Sequence, residues 1–297
     1  MPEARINNIA LHYETQGAPG GVPVVVIQGF GSQMTSWPSA LHEGLSAAGH
    51  FVIRFDNRDV GLSQKFSGIP DARTAAKALA EGKKPDVPYI LADMADDVAA
   101  LMDHLGVASA HVAGGSMGGM IAQLVALRHP TRVRSLISIF STTSDPSLPR
   151  SSPEAQAALM APPPSQSKED VVTHTLKNRR VYASTAWKFD EAFWRTNVSG
   201  NFDRSYFPEG QARQWAAIVA TPPRTEALKA LKVPTLVLHG TADVLIPPEA
   251  GVHTAKCIEG ARLTLIEGWG HDMPPPFVPH LVAHMTRFMA DVEAQAS

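Results

Sequence analysis

The stretch His111-Val112-Ala113-Gly114-Gly115-Ser116-Met117-Gly118-Gly119 decides how this chain is read. Three strand-like residues run into glycines, and residues 117–128 read as a helix that stops before His129-Pro130. A backbone passing from strand to helix in so few residues must turn sharply. That geometry is strained and leaves no room for a Cβ at the neighbouring positions, which accounts for the glycines around Ser116. Gly114-Gly115-Ser116-Met117-Gly118 fits the pattern G-x-S-x-G. The turn lifts the serine hydroxyl above the sheet at a helix N-terminus, where backbone N–H groups stabilise an anion. A serine capping a helix in a glycine-rich turn is the plainer reading. A strand before it and a helix behind favour a nucleophile.

On both sides of this turn, apolar strands alternate with amphipathic helices. Residues 22–28 form a β-branched run without a polar face, as in a strand covered on both sides, and stop at Gly29-Phe30-Gly31. Residues 51–55 form a second strand, ending at Asp56-Asn57-Arg58, and residues 133–140 another. Residues 91–105 carry a helical period. Strand-like patterning returns at 234–239 and 262–266, and an amphipathic helix closes the chain from 278 to about 292. The alternation predicts an α/β fold, a mostly parallel sheet with helices on both faces. Such sheets place ligand sites at the carboxyl ends of their strands. Between residues 141 and 225 the chain turns rich in proline, serine and aromatics. A core of residues 1–140 and 226–297, with an inserted helical cap of residues 141–225, is expected.

A serine hydroxyl is a poor nucleophile until a base takes its proton. His271, in Gly268-Trp269-Gly270-His271-Asp272, follows strand 262–266 in a glycine loop able to swing its imidazole towards Ser116. Three carboxylates compete to orient that imidazole. Asp243 follows the strand ending at His239, Asp145 follows the strand ending at Phe140, and Asp272 would have to bend back from the adjacent position. The backbone N–H groups of Phe30 and Met117 are the candidates for an oxyanion hole, whose donors must face the charge of a tetrahedral intermediate.

Composition narrows the partners. The 297 residues are 44% hydrophobic and 18% charged, a globular balance. Lys plus Arg number 26 against 28 for Asp plus Glu, and a net charge of −2 gives no long-range attraction for a nucleic acid or an anionic membrane. With Cys257 as the single cysteine, an intrachain disulfide and a thiolate metal cluster are both out of reach. No signal peptide is recognised, and no apolar stretch approaches the roughly 20 residues of a membrane span. A soluble, cytoplasmic protein acting on a small molecule is expected. Asp93, Asp96, Asp97 and Asp103 share one helix and read as helix-terminal charge and solvated face rather than a metal site.

Taken together, these motifs carry a resemblance. Gln28-Gly29-Phe30-Gly31 with Trp37, Asp56-Asn57-Arg58-Asp59-Val60-Gly61-Leu62-Ser63, the Ser116 turn and the Asp243 and His271 loops resemble, nearly end to end, the cap-bearing α/β-hydrolases. That group includes haloalkane dehalogenases, epoxide hydrolases and many esterases. Within it the chain is most similar to aclacinomycin methylesterase-like proteins. The resemblance implies the order Ser116, Asp243, His271 for nucleophile, acid and base, and it is this pattern that prefers Asp243 over Asp145. Two positions depart from it: Gln28 stands where the family commonly has His, and Asp59 where it commonly has Gly.

Dehalogenases and epoxide hydrolases of this group need a carboxylate at the position of Ser116, so neither activity is expected. The expectation is a serine hydrolase that cleaves carboxylic esters of small to medium, largely apolar substrates through an acyl-enzyme on Ser116. It needs no cofactor and no metal, and Trp187 and Trp194 of the cap line its substrate pocket. A perhydrolase or cofactor-free haloperoxidase, a lactonase or a C–C hydrolase would leave the same motifs. A non-catalytic small-molecule receptor is the reading from a different class. Oligomeric state is not legible in the sequence.

Overall fold

The β-branched runs assemble into one twisted sheet in the computed structural model, which describes residues 2–296. Its strands are β1 (Glu3–Ile6), β2 (Ile9–Gln16), β3 (Val22–Ile27), β4 (His50–Phe55), β5 (Ala110–Gly115), β6 (Val133–Ile139), β7 (Thr235–Gly240) and β8 (Arg262–Ile266). They lie in the order β1-β2-β4-β3-β5-β6-β7-β8. From β4 to β8 every pairing is parallel, while β1 and β2 add an antiparallel hairpin at one edge. Asn7 and Asn8, at φ 47° and 61°, make its two-residue turn; positive φ at both positions is what a hairpin matching strand twist requires.

Helices cover both faces. They are α1 (Ser39–Ala47), α2 (Ala72–Ala80), α3 (Leu91–His104), α4 (Met117–Arg128), α5 (Pro153–Met160), α6 (Lys168–Val181), α7 (Glu191–Arg204), α8 (Glu209–Val219), α9 (Thr225–Lys229), α10 (Pro248–Cys257) and α11 (Val278–Ala296). Alternate residues of β3 face opposite layers, as strand geometry dictates. Val25 and Ile27 join the cluster built with Leu91 and Leu101 of α3 and Ile121 of α4. Val24 and Val26 join Leu41 and Leu45 of α1 and Leu281 and Met285 of α11. Each such side chain, fully buried, contributes about 1.5–3 kcal/mol relative to exposure. No helix among the described residues is long and apolar enough to cross a membrane.

Between β6 and β7 the chain contributes α5 to α9, and the first four of these make up most of residues 141–225. Three of these helices begin at capping side chains, Ser152, Ser167 and Asp190, each accepting a backbone N–H of the first turn. The fourth, α8, ties this layer to the loop after β4. Arg213 donates to both oxygens of Asp59, at 2.9 and 3.0 Å, and Gln214 accepts from Gly31 N–H and donates to the Arg58 carbonyl. Asp59 explains its own departure from glycine. It holds φ 70°, a strained value for a side-chain-bearing residue, and its carboxylate also accepts from Phe66 N–H and the Tyr89 hydroxyl. Gln28, the other departure, is fully buried and outside the cavity described below; its carbonyl accepts from Asn57 Nδ2.

Candidate active site

Ser116 sits between β5 and α4 at φ 56°, ψ −123°. A non-glycine residue there costs on the order of 1–3 kcal/mol, so its surroundings must hold it. Ser116 N–H donates to the Ile139 carbonyl at 3.0 Å, and its own carbonyl accepts from Gly119 N–H, Met120 N–H and the Ser141 hydroxyl. The flanking glycines let three elements meet. A Cβ on Gly114 would stand 2.1 Å from the Gly118 carbonyl oxygen, and one on Gly118 would stand 2.2 Å from that of Ile27.

Two amides near Ser116 are free to donate. Met117 is the first residue of α4, so its N–H has no acceptor within the helix. Phe30 N–H, in the loop after β3, makes no hydrogen bond among the described residues. Both residues line the cavity onto which Ser116 opens.

His271 leaves β8 on a loop pinned from outside. Its N–H donates to the Tyr182 carbonyl at 2.7 Å, Gly270 N–H donates to Ser184 Oγ, and Thr185 N–H donates to the Gly268 carbonyl. The segment following α6 therefore sets the loop's position. The imidazole packs on Phe140, ring centroids 4.6 Å apart, and its Nδ1 lies 2.7 Å from Asp243 Oδ2. Asp243 divides its two oxygens: Oδ2 faces His271, while Oδ1 accepts from Leu245 N–H and Ile246 N–H. Burial alone pushes this carboxyl up. The charge and hydrogen bonds of His271 and His239 outweigh burial and hold it at about 2. With Nδ1–H donating to the carboxylate, Nε2 is the ring's acceptor. His271 and Ser116 line the same cavity, and no direct hydrogen bond joins their side chains among the described residues. Such bonds commonly tighten only when substrate binds.

The rival carboxylates are engaged elsewhere. Asp145 accepts from the Ser147 hydroxyl and N–H and from the Thr225 hydroxyl, which hold it at about 2, and it stands 3.9 Å from His253. Asp272 Oδ1 accepts from the Ser184 N–H and hydroxyl. On the α3 carboxylates, Arg58 grips Asp97, Arg128 and His129 hold Asp96, Arg132 pairs with Asp103, and Asp93 caps the Ile90 N–H.

The cavity measures about 320 Å³ and is walled by apolar and aromatic side chains, among them Phe30, Trp37, Phe140, Trp194, Trp215 and Leu245. Of the two cap tryptophans singled out in the sequence, Trp194 is on the cavity wall. Trp187 is not among the residues lining it: the half-buried indole packs instead on Phe277, ring centroids 4.8 Å apart, against the cluster that holds Trp269 and Phe277. Trp215 takes the place it was expected to fill. The sequence pattern also passes over His239 at the end of β7, whose Nε2 donates to the Ile246 carbonyl 2.8 Å away and stands 3.5 Å from Asp243 Oδ2. Its four-residue spacing from Asp243 was the one available signal.

Comparison with known proteins gives consistent neighbours. A family described as alpha/beta hydrolase fold matches residues 22–274. Rhodomycin D methylesterase DnrP of Streptomyces peucetius is 29% identical, across 96% of this chain and 98% of its own length. Among solved structures, the enol-lactonase of Burkholderia xenovorans LB400 superposes with a TM-score of 0.74 at 23% identity, covering 97% of this chain and 100% of its own, a likeness of fold. A thermophilic esterase of Thermogutta terrifontis superposes with a TM-score of 0.71 at 25% identity, covering 98% of each chain.

Proposed function

This chain belongs to the alpha/beta hydrolase fold family, and from that premise we propose that it hydrolyses carboxylic esters with Ser116 as nucleophile, His271 as base and Asp243 as acid. The observation that carries the reading is the 2.7 Å contact of Asp243 with His271, on the wall of the cavity onto which Ser116 also opens. The methylesterase and esterase named above support the reaction class. An apolar cavity of about 320 Å³ suits small to medium esters with little polar surface.

The chemistry follows from the parts. His271 Nε2 takes the Ser116 proton as Oγ attacks the ester carbonyl, and Asp243 stabilises the imidazolium that forms. The carbonyl oxygen, now negative, rests on the Phe30 and Met117 amides; fixed donors in a water-poor site need no reorganisation as the charge develops. The imidazolium returns its proton to the leaving alcohol. Water then enters, His271 takes one of its protons as the oxygen attacks the acyl-enzyme, and the imidazolium returns that proton to the departing Ser116 Oγ, releasing the acid and restoring the hydroxyl and the neutral base.

Ser116→Ala removes the attacking atom and is expected to lower kcat on p-nitrophenyl butyrate by on the order of 10⁴ or more. Near-normal turnover by that variant would contradict the scheme. A cytoplasmic location forms part of the proposal; the free, buried Cys257 suits a reducing compartment.

A further inference from the structure

The last turn of α6 brings a different chemistry to an otherwise aromatic wall. Arg179 and Tyr182, three residues apart and so on one helix face, both line the Ser116 cavity. Both also line an adjoining pocket of about 470 Å³ between α5, α6 and α8. The Arg179 guanidinium stacks over Trp194, 4.5 Å from the ring centroid. Among the described residues it makes no hydrogen bond and no ion pair, and the Tyr182 hydroxyl makes no hydrogen bond. The other arginines of this region are occupied: Arg180 by Glu191, Arg204 by Asp56 and Gln33, Arg213 by Asp59, and Arg224 by Gln123 and the Thr142 carbonyl.

A guanidinium held over an indole without hydrogen-bond partners keeps its N–H donors available, and a carboxylate docks on such a fork through two parallel bonds. No acidic side chain lines the adjoining pocket. In the Ser116 cavity the lining carboxyl is Asp272, whose Oδ1 already serves Ser184. Burial pushes the Asp272 carboxyl up, against the pull of Ser184 and Arg179. The same burial keeps the Tyr182 phenol protonated, as a donor.

We propose that Arg179 and Tyr182 form an anion-recognition edge of the ester site, and that the preferred substrate is an ester carrying a carboxylate at the end remote from the scissile bond, such as a half-ester of a dicarboxylic acid. The proposal rests on the ester-hydrolase reading above. The aromatic wall holds the apolar body, Ser116 meets the ester, and Arg179 selects for the charged end. Arg179 is a specificity determinant that takes no part in bond making.

Two esters of equal length test it: monomethyl adipate, which carries the second carboxylate, and methyl hexanoate, which does not. The quantity read is the ratio of their kcat/KM values within each protein, so a general loss of activity cancels. Wild type is expected to favour the half-ester. Arg179→Met is expected to lower the ratio by about 10- to 100-fold, Tyr182→Phe by severalfold, and Arg179→Lys by less than Arg179→Met, since lysine keeps the charge and loses the fork. A ratio that ignores all three substitutions would overturn the anion site and leave ester hydrolysis standing. Calorimetry on Ser116→Ala separates the converse case. Tighter binding of monomethyl adipate than of methyl hexanoate, lost in Ser116→Ala/Arg179→Met, supports the anion site even if wild type hydrolyses neither ester; equal binding of the two overturns it.

Discussion

Asp243 Oδ2 reaches His271 Nδ1 from the neighbouring strand end: the two residues leave β7 and β8, which pair in parallel up to Gly240 and Ile266. Two adjacent strand ends thus deliver Asp243 and His271, the proposed acid and base, to the same end of the sheet, and β5, two strands from β7, delivers Ser116 there. Brought together in this way, three residues far apart in sequence need no long loop to meet. The placement also makes distinct demands on each residue.

The first demand concerns the acid. Asn at position 243 keeps an oxygen for the Leu245 and Ile246 amides and turns its NH₂ towards His271, which forces the ring into the wrong tautomer. Asp243→Asn is expected to lower kcat on p-nitrophenyl butyrate by on the order of 10⁴. Asp145→Asn and Asp272→Asn are expected to cost about tenfold or less, since their partners are Ser147, Thr225 and Ser184. Steady-state kinetics on the three variants checks the ranking, and a larger loss at Asp145 would reverse the assignment.

The second demand concerns pH. The proposed pairing needs Asp243 ionised beside His271, and its folded value of about 2, below the usual 3.8, keeps it so well into acid. Loss of this charge is therefore not expected to shape log kcat/KM above about pH 4, and a break near pH 4 would contradict the depressed value. The stabilising contribution of the charged Asp243 has the matching sign. It is fully present above about pH 3.8 and lost as pH falls through about 2, so the stability gap between wild type and Asp243→Asn narrows only in that window.

A third prediction concerns Asp59. Glycine suits its φ of 70°, and the resemblance noted in the sequence implies glycine at this position, so backbone preference alone makes Asp59→Gly favourable. The ion pair argues the other way: Arg213 is 2% exposed, and losing Asp59 leaves its charge buried. Asp59→Gly is expected to destabilise the fold by about 3–5 kcal/mol, and Asp59→Gly/Arg213→Met to recover much of that. Urea denaturation of the two variants measures both effects.

These particulars also show which parts of the molecule can be read without coordinates. The turn at Ser116 is legible because its glycines answer a local steric need, and β3 because both its faces are buried, leaving an unbroken apolar run. The β1–β2 hairpin is harder to read. In β2 buried and half-exposed positions mix, and Ile9-Ala10-Leu11-His12-Tyr13 matches neither a strand nor a helix period cleanly. Trp187 and Trp194 look alike in a stretch rich in aromatics, and which one reaches the cavity depends on how α7 and the segment before it pack. The pairing of Asp59 with Arg213 spans 154 residues, and nothing local to either announces it. Arg179 is equally silent in the sequence, because an unpaired cation is recognised only once its neighbours are known.

The central claim is that Ser116 is a nucleophile activated by His271, and covalent labelling tests it most directly. A fluorophosphonate probe is expected to form one adduct per chain, located by peptide mass spectrometry on Ser116, and to leave Ser116→Ala unmodified. His271→Ala should slow labelling by orders of magnitude, since the base is gone. An unlabelled wild type, or equal labelling of Ser116→Ala, would contradict the claim.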